Sequence, residues 1–96
     1  MIDSKRQALI IRVLVALLPN VKIYLFGSRA RGTNREASDI DLALDLGREM
    51  TLRELSLARN VLGELYIPQK IDVVDLNSVS QDLKNTILSE GILWQS

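Results

Sequence analysis

Apolar and polar positions along this chain fall into stretches of different period, and each stretch predicts an element. Residues 3–18, DSKRQALIIRVLVALL, begin polar and turn apolar over a length that favours a helix over a strand. Asp3 or Ser4 can cap that helix, and Pro19-Asn20 stops it. VKIYLF (21–26) lies between this break and Gly27 and predicts a short strand. SRARG suits a short helical turn, and TNREAS a polar loop. DIDLALDL (39–46) alternates: Ile40, Leu42, Leu44 and Leu46 face one way, Asp39, Asp41, Ala43 and Asp45 the other, and Gly47 ends the strand. Thr51 with Glu54 three residues on forms a capping box, and Leu55, Ala58, Leu62 and Leu65 continue that helix on one face. Pro68 breaks the chain before a third strand, KIDVVDL (70–76). Asn77 or Ser78 caps a last helix striped by Val79, Leu83 and Ile87, with Gly91 as its stop.

The order α-β-α-β-α-β-α predicts an α/β (α+β) chain: a small mixed three-stranded sheet with helices mainly on one face. Ninety-six residues suit one domain, 1–96, without internal repeats or a linker. The Ile/Leu face of the second strand must meet helices, so its aspartate face is expected to look outward from the core. At 47% hydrophobic and 25% charged the composition is that of an ordinary globular protein. Twelve basic residues balance twelve acidic ones, which gives no sign of a membrane or of stable nucleic-acid binding, although Arg29, Arg31 and Arg35 crowd into one short segment. The longest apolar run, Val13 to Leu18, is too short to span a bilayer, no secretion signal is expected, and a cytoplasmic location is the default.

The chain has no cysteine and no histidine, which removes disulfides, zinc fingers, thiol nucleophiles and imidazole bases. Carboxylates are left to do acid-base or metal chemistry, and they favour hard cations such as Mg²⁺. Asp39 and Asp41, two apart on a strand, put their Cα atoms roughly 6.5–7 Å apart on one face. Like charges there repel unless neutralised. A pair of divalent cations about 3.5–4 Å apart would neutralise them and also do chemistry. A third carboxylate on a neighbouring strand would complete such a site. KIDVVDL offers Asp72 and Asp75 on opposite faces, and periodicity leaves open which one joins. Gly27 lets the backbone approach a phosphate closely, and Ser28 with the first N–H groups of the next turn can bind phosphate oxygens. Arg31 lies three residues after Ser28, hence on the same helical face; Arg29 does not, and is expected to point to solvent or a partner. Taken singly, each feature has a plainer reading: a turn at Gly27-Ser28, a solvated edge at Asp39-Asp41, a basic loop, and surface or strand-end contacts for Asp45 and Asp75. Their conjunction favours a site. GSRARGT is not a phosphate-binding P-loop, because Thr33 stands where the lysine is needed.

FGS at 26–28, followed after ten residues by DIDL at 39–42, resembles the signature of the polymerase-β-type nucleotidyltransferases. GSRARG…SDIDLAL with the later IDVVDL is similar to the minimal nucleotidyltransferases, or MNT proteins, over nearly the whole chain. The resemblance implies a polymerase-β-like nucleotidyltransferase fold. It implies two Mg²⁺ ions held by Asp39, Asp41 and, by its place in the third strand, Asp72. It also implies a triphosphate-binding turn at Gly27 and Ser28, and a phosphate contact from Arg31. The implied reaction moves a nucleoside monophosphate from a nucleoside triphosphate, AMP from ATP, onto an acceptor hydroxyl with release of pyrophosphate; Asp72 is the expected proton acceptor. Proteins of this kind pair with a small helical HEPN toxin, so the resemblance further implies an antitoxin of a toxin-antitoxin system, acting in a hetero-oligomer by adenylylating its partner, commonly on tyrosine.

Two other classes are compatible with the chain. One is a small-molecule nucleotidyltransferase like those that modify aminoglycosides, which usually carry an added helical domain. The other is an antitoxin that binds without catalysis, against which the repelling aspartates argue. The run Val13–Leu18 and the stretch ILWQS read either as core packing or as surfaces that dock a partner.

Overall fold

The structure, a computed structural model, describes residues 4–35 and 37–96. Helix α1 (Ser4–Leu17) buries Ile10 and Leu14, and Leu18 just beyond it, so every fourth residue meets the core. The expected Asp3 cap lies outside the described residues. Asn20, at φ 70°, turns the chain after Pro19 into strand β1 (Lys22–Phe26). A one-turn helix α2 (Ser28–Arg31) leads through a loop to strand β2 (Ile40–Asp45). Helix α3 (Leu52–Gly63) and strand β3 (Ile71–Asp75) follow, then helix α4 (Gln81–Glu90) and strand β4 (Ile92–Gln95).

The sheet has four strands in the order β3-β2-β1-β4. β1 runs antiparallel to β2 and to β4, while β2 and β3, joined through α3, are parallel. The three-strand expectation is therefore corrected: ILWQ, read as a tail after the last helix, adds a strand to the free edge of β1. Helices lie mainly on one face, where α1 and α3 cover Ile23, Leu25, Ile40, Leu42, Leu44 and Val73. The aspartate face is not wholly outward. Ala43, on that face at the middle of β2, is small enough to let α4 sit on the sheet, and Ile87 and Leu76 pack there with Tyr24, Phe26, Val74 and Leu83. Among the described residues no helix is long and apolar enough to cross a membrane.

Local capping explains the element ends. Thr51 Oγ1 accepts from the Glu54 amide at 3.1 Å while Glu54 Oε1 accepts from the Thr51 amide at 2.8 Å, the reciprocal box expected at α3. Arg48 adds a two-pronged contact to Glu54, both prongs at 2.9 Å. That guanidinium, helped by the Thr51 amide, holds the Glu54 carboxyl down to about 2. The last helix is capped by Ser80, whose Oγ accepts from Leu83 N at 3.2 Å, rather than by Asn77 or Ser78. Those two residues are used by Asp75 instead. Asp75 is only 3% exposed. Its carboxylate accepts from Met50 N at 2.7 Å, from Asn77 N at 3.0 Å and from the Ser78 hydroxyl. It is a buried strand-end contact, not a surface residue. Asp45 at the end of β2 accepts from Asn77 Nδ2 at 2.8 Å and from Gly47 N at 2.7 Å. Burial alone would raise its pKa, but these hydrogen bonds and the nearby Lys22 and Lys84 lower it on balance.

Candidate active site

Asp41 and Asp72 are direct partners in the parallel β2–β3 register. Residues paired across neighbouring strands point to the same face, with the strands about 4.8 Å apart. Register therefore chooses between the two candidate carboxylates of β3: Asp72 stands beside Asp41, whereas Asp75 pairs with Leu44 and belongs to the core face. Asp72 and Asp39 are exposed, and Asp41 is half-buried. Burial, then Asp72, then Asp39 push the Asp41 carboxyl above its ordinary value, and Arg31 pulls it part of the way back. The three aspartates and Arg31 thus share one electrostatic neighbourhood centred on Asp41.

Phe26, the last residue of β1, pairs with Asp41, so the next residue, Gly27, turns away beside that carboxylate. Gly27 takes φ 75°, where side-chain-bearing residues are strained. A Cβ there would also overlap the Asp41 carboxylate oxygen. The expected glycine role, backbone exposed to an approaching phosphate, is joined by a second one: the glycine makes room for Asp41. Gly27 is also the N-cap residue of α2, and its carbonyl accepts from Ala30 N and Arg31 N, both at 3.1 Å. No side chain caps this end, and Ser28 is the first helical residue, half-buried at the turn. Ser28 O accepts from Thr33 N at 2.9 Å, which closes the turn through Gly32. Arg31 is exposed on the same short helix.

Arg29 corrects the expectation. It is 8% exposed and points into the protein, where Nε at 3.2 Å and Nη2 at 2.9 Å both donate to the Ser38 carbonyl. Spacing on the helix put it off the Ser28–Arg31 face, and the off-face side is the inward one. Among its partners is a main-chain oxygen nine residues on, which no local sequence pattern marks.

The donor set suits a hard cation: oxygen ligands only, two of them opposed across a strand pair and mutually repelling. Among the described residues, however, no three acidic side chains are gathered closely enough to hold a metal ion as they stand. A groove of about 610 Å³ lies elsewhere; Leu25, Arg29, Gly32, Ile92, Leu93 and Trp94 line much of it, and none of the three aspartates does.

Comparison with known proteins bears on the family. The chain is 27% identical over 94 residues to the "Probable protein adenylyltransferase MntA" of Haemophilus influenzae, covering 98% of this chain and 82% of that protein. It superposes with TM-score 0.80 and 28% identity on a crystal structure of a toxin-antitoxin with AMP-PNP, over 94% of this chain and 73% of the matched one. A structure of tri-AMPylated Shewanella oneidensis HEPN toxin in complex with MNT antitoxin matches with TM-score 0.75 and 25% identity, over 96% and 71%. Residues 10–95 match the family described as polymerase beta, nucleotidyltransferase, and the chain belongs to that family.

Proposed function

We propose that this chain, as a minimal nucleotidyltransferase domain over residues 1–96, moves AMP from ATP onto a hydroxyl of a HEPN-type toxin. It thereby acts as the antitoxin of a cytoplasmic toxin-antitoxin pair and works in a hetero-oligomer with its partner. The observation that carries this reading is the in-register pairing of Asp41 with Asp72 beside the Gly27 turn. It supports an acid-rich face next to a backbone turn that has no side chain of its own. The names of the relatives, a protein adenylyltransferase and complexes with AMP-PNP or an AMPylated HEPN toxin, support the choice of nucleotide and partner.

Each residue then has a distinct task. Gly27 and Ser28 seat the triphosphate through main-chain N–H groups and a hydroxyl. Arg31 offsets phosphate charge from the exposed side of α2. Asp39, Asp41 and Asp72 would together hold two Mg²⁺ ions, which when bound supply charge neutralisation for the attacking and leaving oxygens. As the acceptor oxygen bonds to the α-phosphorus, its bond to the β,γ-pyrophosphate breaks. Asp72, exposed at the start of β3, takes the acceptor proton.

Labelled ATP with Mg²⁺, supplied to the chain with and without a HEPN protein encoded beside it, tests the reading. Label is expected on the HEPN protein and is expected to vanish with Asp41→Asn. Asp72→Asn should slow transfer by on the order of 100-fold or more while leaving AMP-PNP binding largely intact. A stable complex that never acquires label would leave a purely binding antitoxin, and unchanged transfer by Asp72→Asn would remove the proton-acceptor role.

A further inference from the structure

We infer that Arg29 is a positioning residue that locks the phosphate turn to the carboxylate strand, an inference that rests on the transfer reading above. The two halves of the site come from different segments. Gly27 follows β1, Ser28 and Arg31 lie on α2, while Asp39 immediately precedes β2 and Asp41 is its second residue. Between them runs a loop that is itself polar and mostly exposed. Its far end is folded into a turn by Ser38 N donating to Arg35 O at 3.0 Å and Arg35 N donating to Ser38 Oγ at 2.9 Å. These bonds shape the turn but tie it to nothing outside the loop.

Arg29 makes the outside tie. Its buried guanidinium reaches from α2 to the Ser38 carbonyl with two donors on one oxygen. That carbonyl belongs to the peptide whose nitrogen is Asp39's, so the fork sets the orientation in which the chain enters Asp39. On the other side, Ile40 N donates to Lys70 O at 2.8 Å, pinning the same entry to the start of β3, where Asp72 lies. Asp39 is thus held between two main-chain anchors, one of them supplied by the residue next to Ser28. A planar fork on one carbonyl fixes direction as well as distance, which a lysine's single ammonium cannot do. Misplacing a reacting group by about 1 Å can cost on the order of 100-fold in rate. The phosphates and the carboxylates are therefore kept in mutual register by a side chain that grips the main chain just before Asp39.

The test compares wild type, Arg29→Lys and Ser38→Gly, each mixed with the HEPN protein. Ser38→Gly loosens the acceptor segment without disturbing the buried arginine, and so covers the case in which the arginine variant folds poorly. Three readouts apply: transfer rate at saturating ATP, AMP-PNP affinity by calorimetry, and hydrogen exchange of the amides at residues 37–40. The rate should fall by about 10- to 100-fold in both variants with AMP-PNP affinity kept within about threefold, and exchange at Ser38 to Ile40 should quicken. AMP-PNP affinity falling as far as the rate would make Arg29 a phosphate contact and overturn the inference. Wild-type rate and exchange in Arg29→Lys would overturn it too, as would a rate loss that only tracks the unfolded fraction. Should the wild type itself transfer nothing, the adenylylation reading fails, and the exchange data alone still decide whether Arg29 holds the Ser38 peptide.

Discussion

Asp41 carries the largest electrostatic tension in the site. It is half-buried over Gly27, opposite Asp72 and within reach of Asp39, and its carboxyl is raised above its ordinary 3.8, first by burial and then by those two charges. A raised acid in the folded state binds its proton more tightly than the unfolded chain does. Its ionisation therefore works against the fold: this group's contribution to stability is fully present below 3.8 and is lost as the pH climbs through the raised value. In chelator-treated protein at neutral pH, Asp41→Asn is expected to raise stability by about 0.5 kcal/mol, or about 2–4 °C in Tm, with the gain shrinking toward pH 4. Thermal melts across pH 4–8 check this. A destabilised variant at neutral pH would mean that the Asp41 charge is already balanced without a cation. Parity along the strand was enough to split Asp72 from Asp75, while Asp39, just ahead of β2, reaches Asp41 electrostatically. Periodicity left the choice between Asp72 and Asp75 open; the resemblance implied Asp72, and the β2–β3 register, a relation between segments that no local period carries, sets Asp72 beside Asp41. Arg29 escaped for a similar reason, since a peptide carbonyl is among its acceptors and carbonyls leave no trace in residue identity.

Between residue and fold, the strand-to-helix joints show what periodicity reads well and what it reads badly. The Thr51–Glu54 box was legible because its chemistry is contained in four consecutive residues. The start of α4 was misplaced because Asn77, Ser78 and Ser80 are all competent caps, and the first two are taken up by Asp75, which is buried at the end of β3. That carboxylate holds the chain entering α3 as well, through the Met50 amide. Asp75→Ala leaves those donors without their acceptor and is expected to cost about 2–3 kcal/mol, lowering Tm by about 8–24 °C, while transfer at low temperature persists. Urea unfolding measures the cost, and a loss below about 1 kcal/mol would show that water replaces the carboxylate. Strand β4 was missed because ILWQ is only four residues long and lacks alternation; what makes it a strand is the vacant edge of β1.

At the scale of the molecule, α4 and β4 meet β1 at Gly91, and the reason for glycine there is space. Gly91 keeps φ −70° and so needs no left-handed freedom, but a Cβ would overlap the Ile87 carbonyl and come within 3.2 Å of Leu25 O. Gly91→Ala should therefore push the helix end off the sheet, cost about 1–3 kcal/mol, and shift the emission of Trp94, the chain's sole tryptophan, on β4. An unchanged spectrum with full stability would mean that this junction yields without strain. The same arrangement bears on how the protein folds. β1 pairs with β2 between Lys22 and Asp45, but with β4 between Ile23 and Gln95, the far more distant partner along the chain. Distant pairings pay more loop entropy before they gain anything and close late. Until β4 arrives, β1 offers an open row of peptide groups for association with other chains. β1 is also the strand that runs into Gly27, so the speed of one late zippering step bears on both the yield of protein from refolding and the fraction of it that is active.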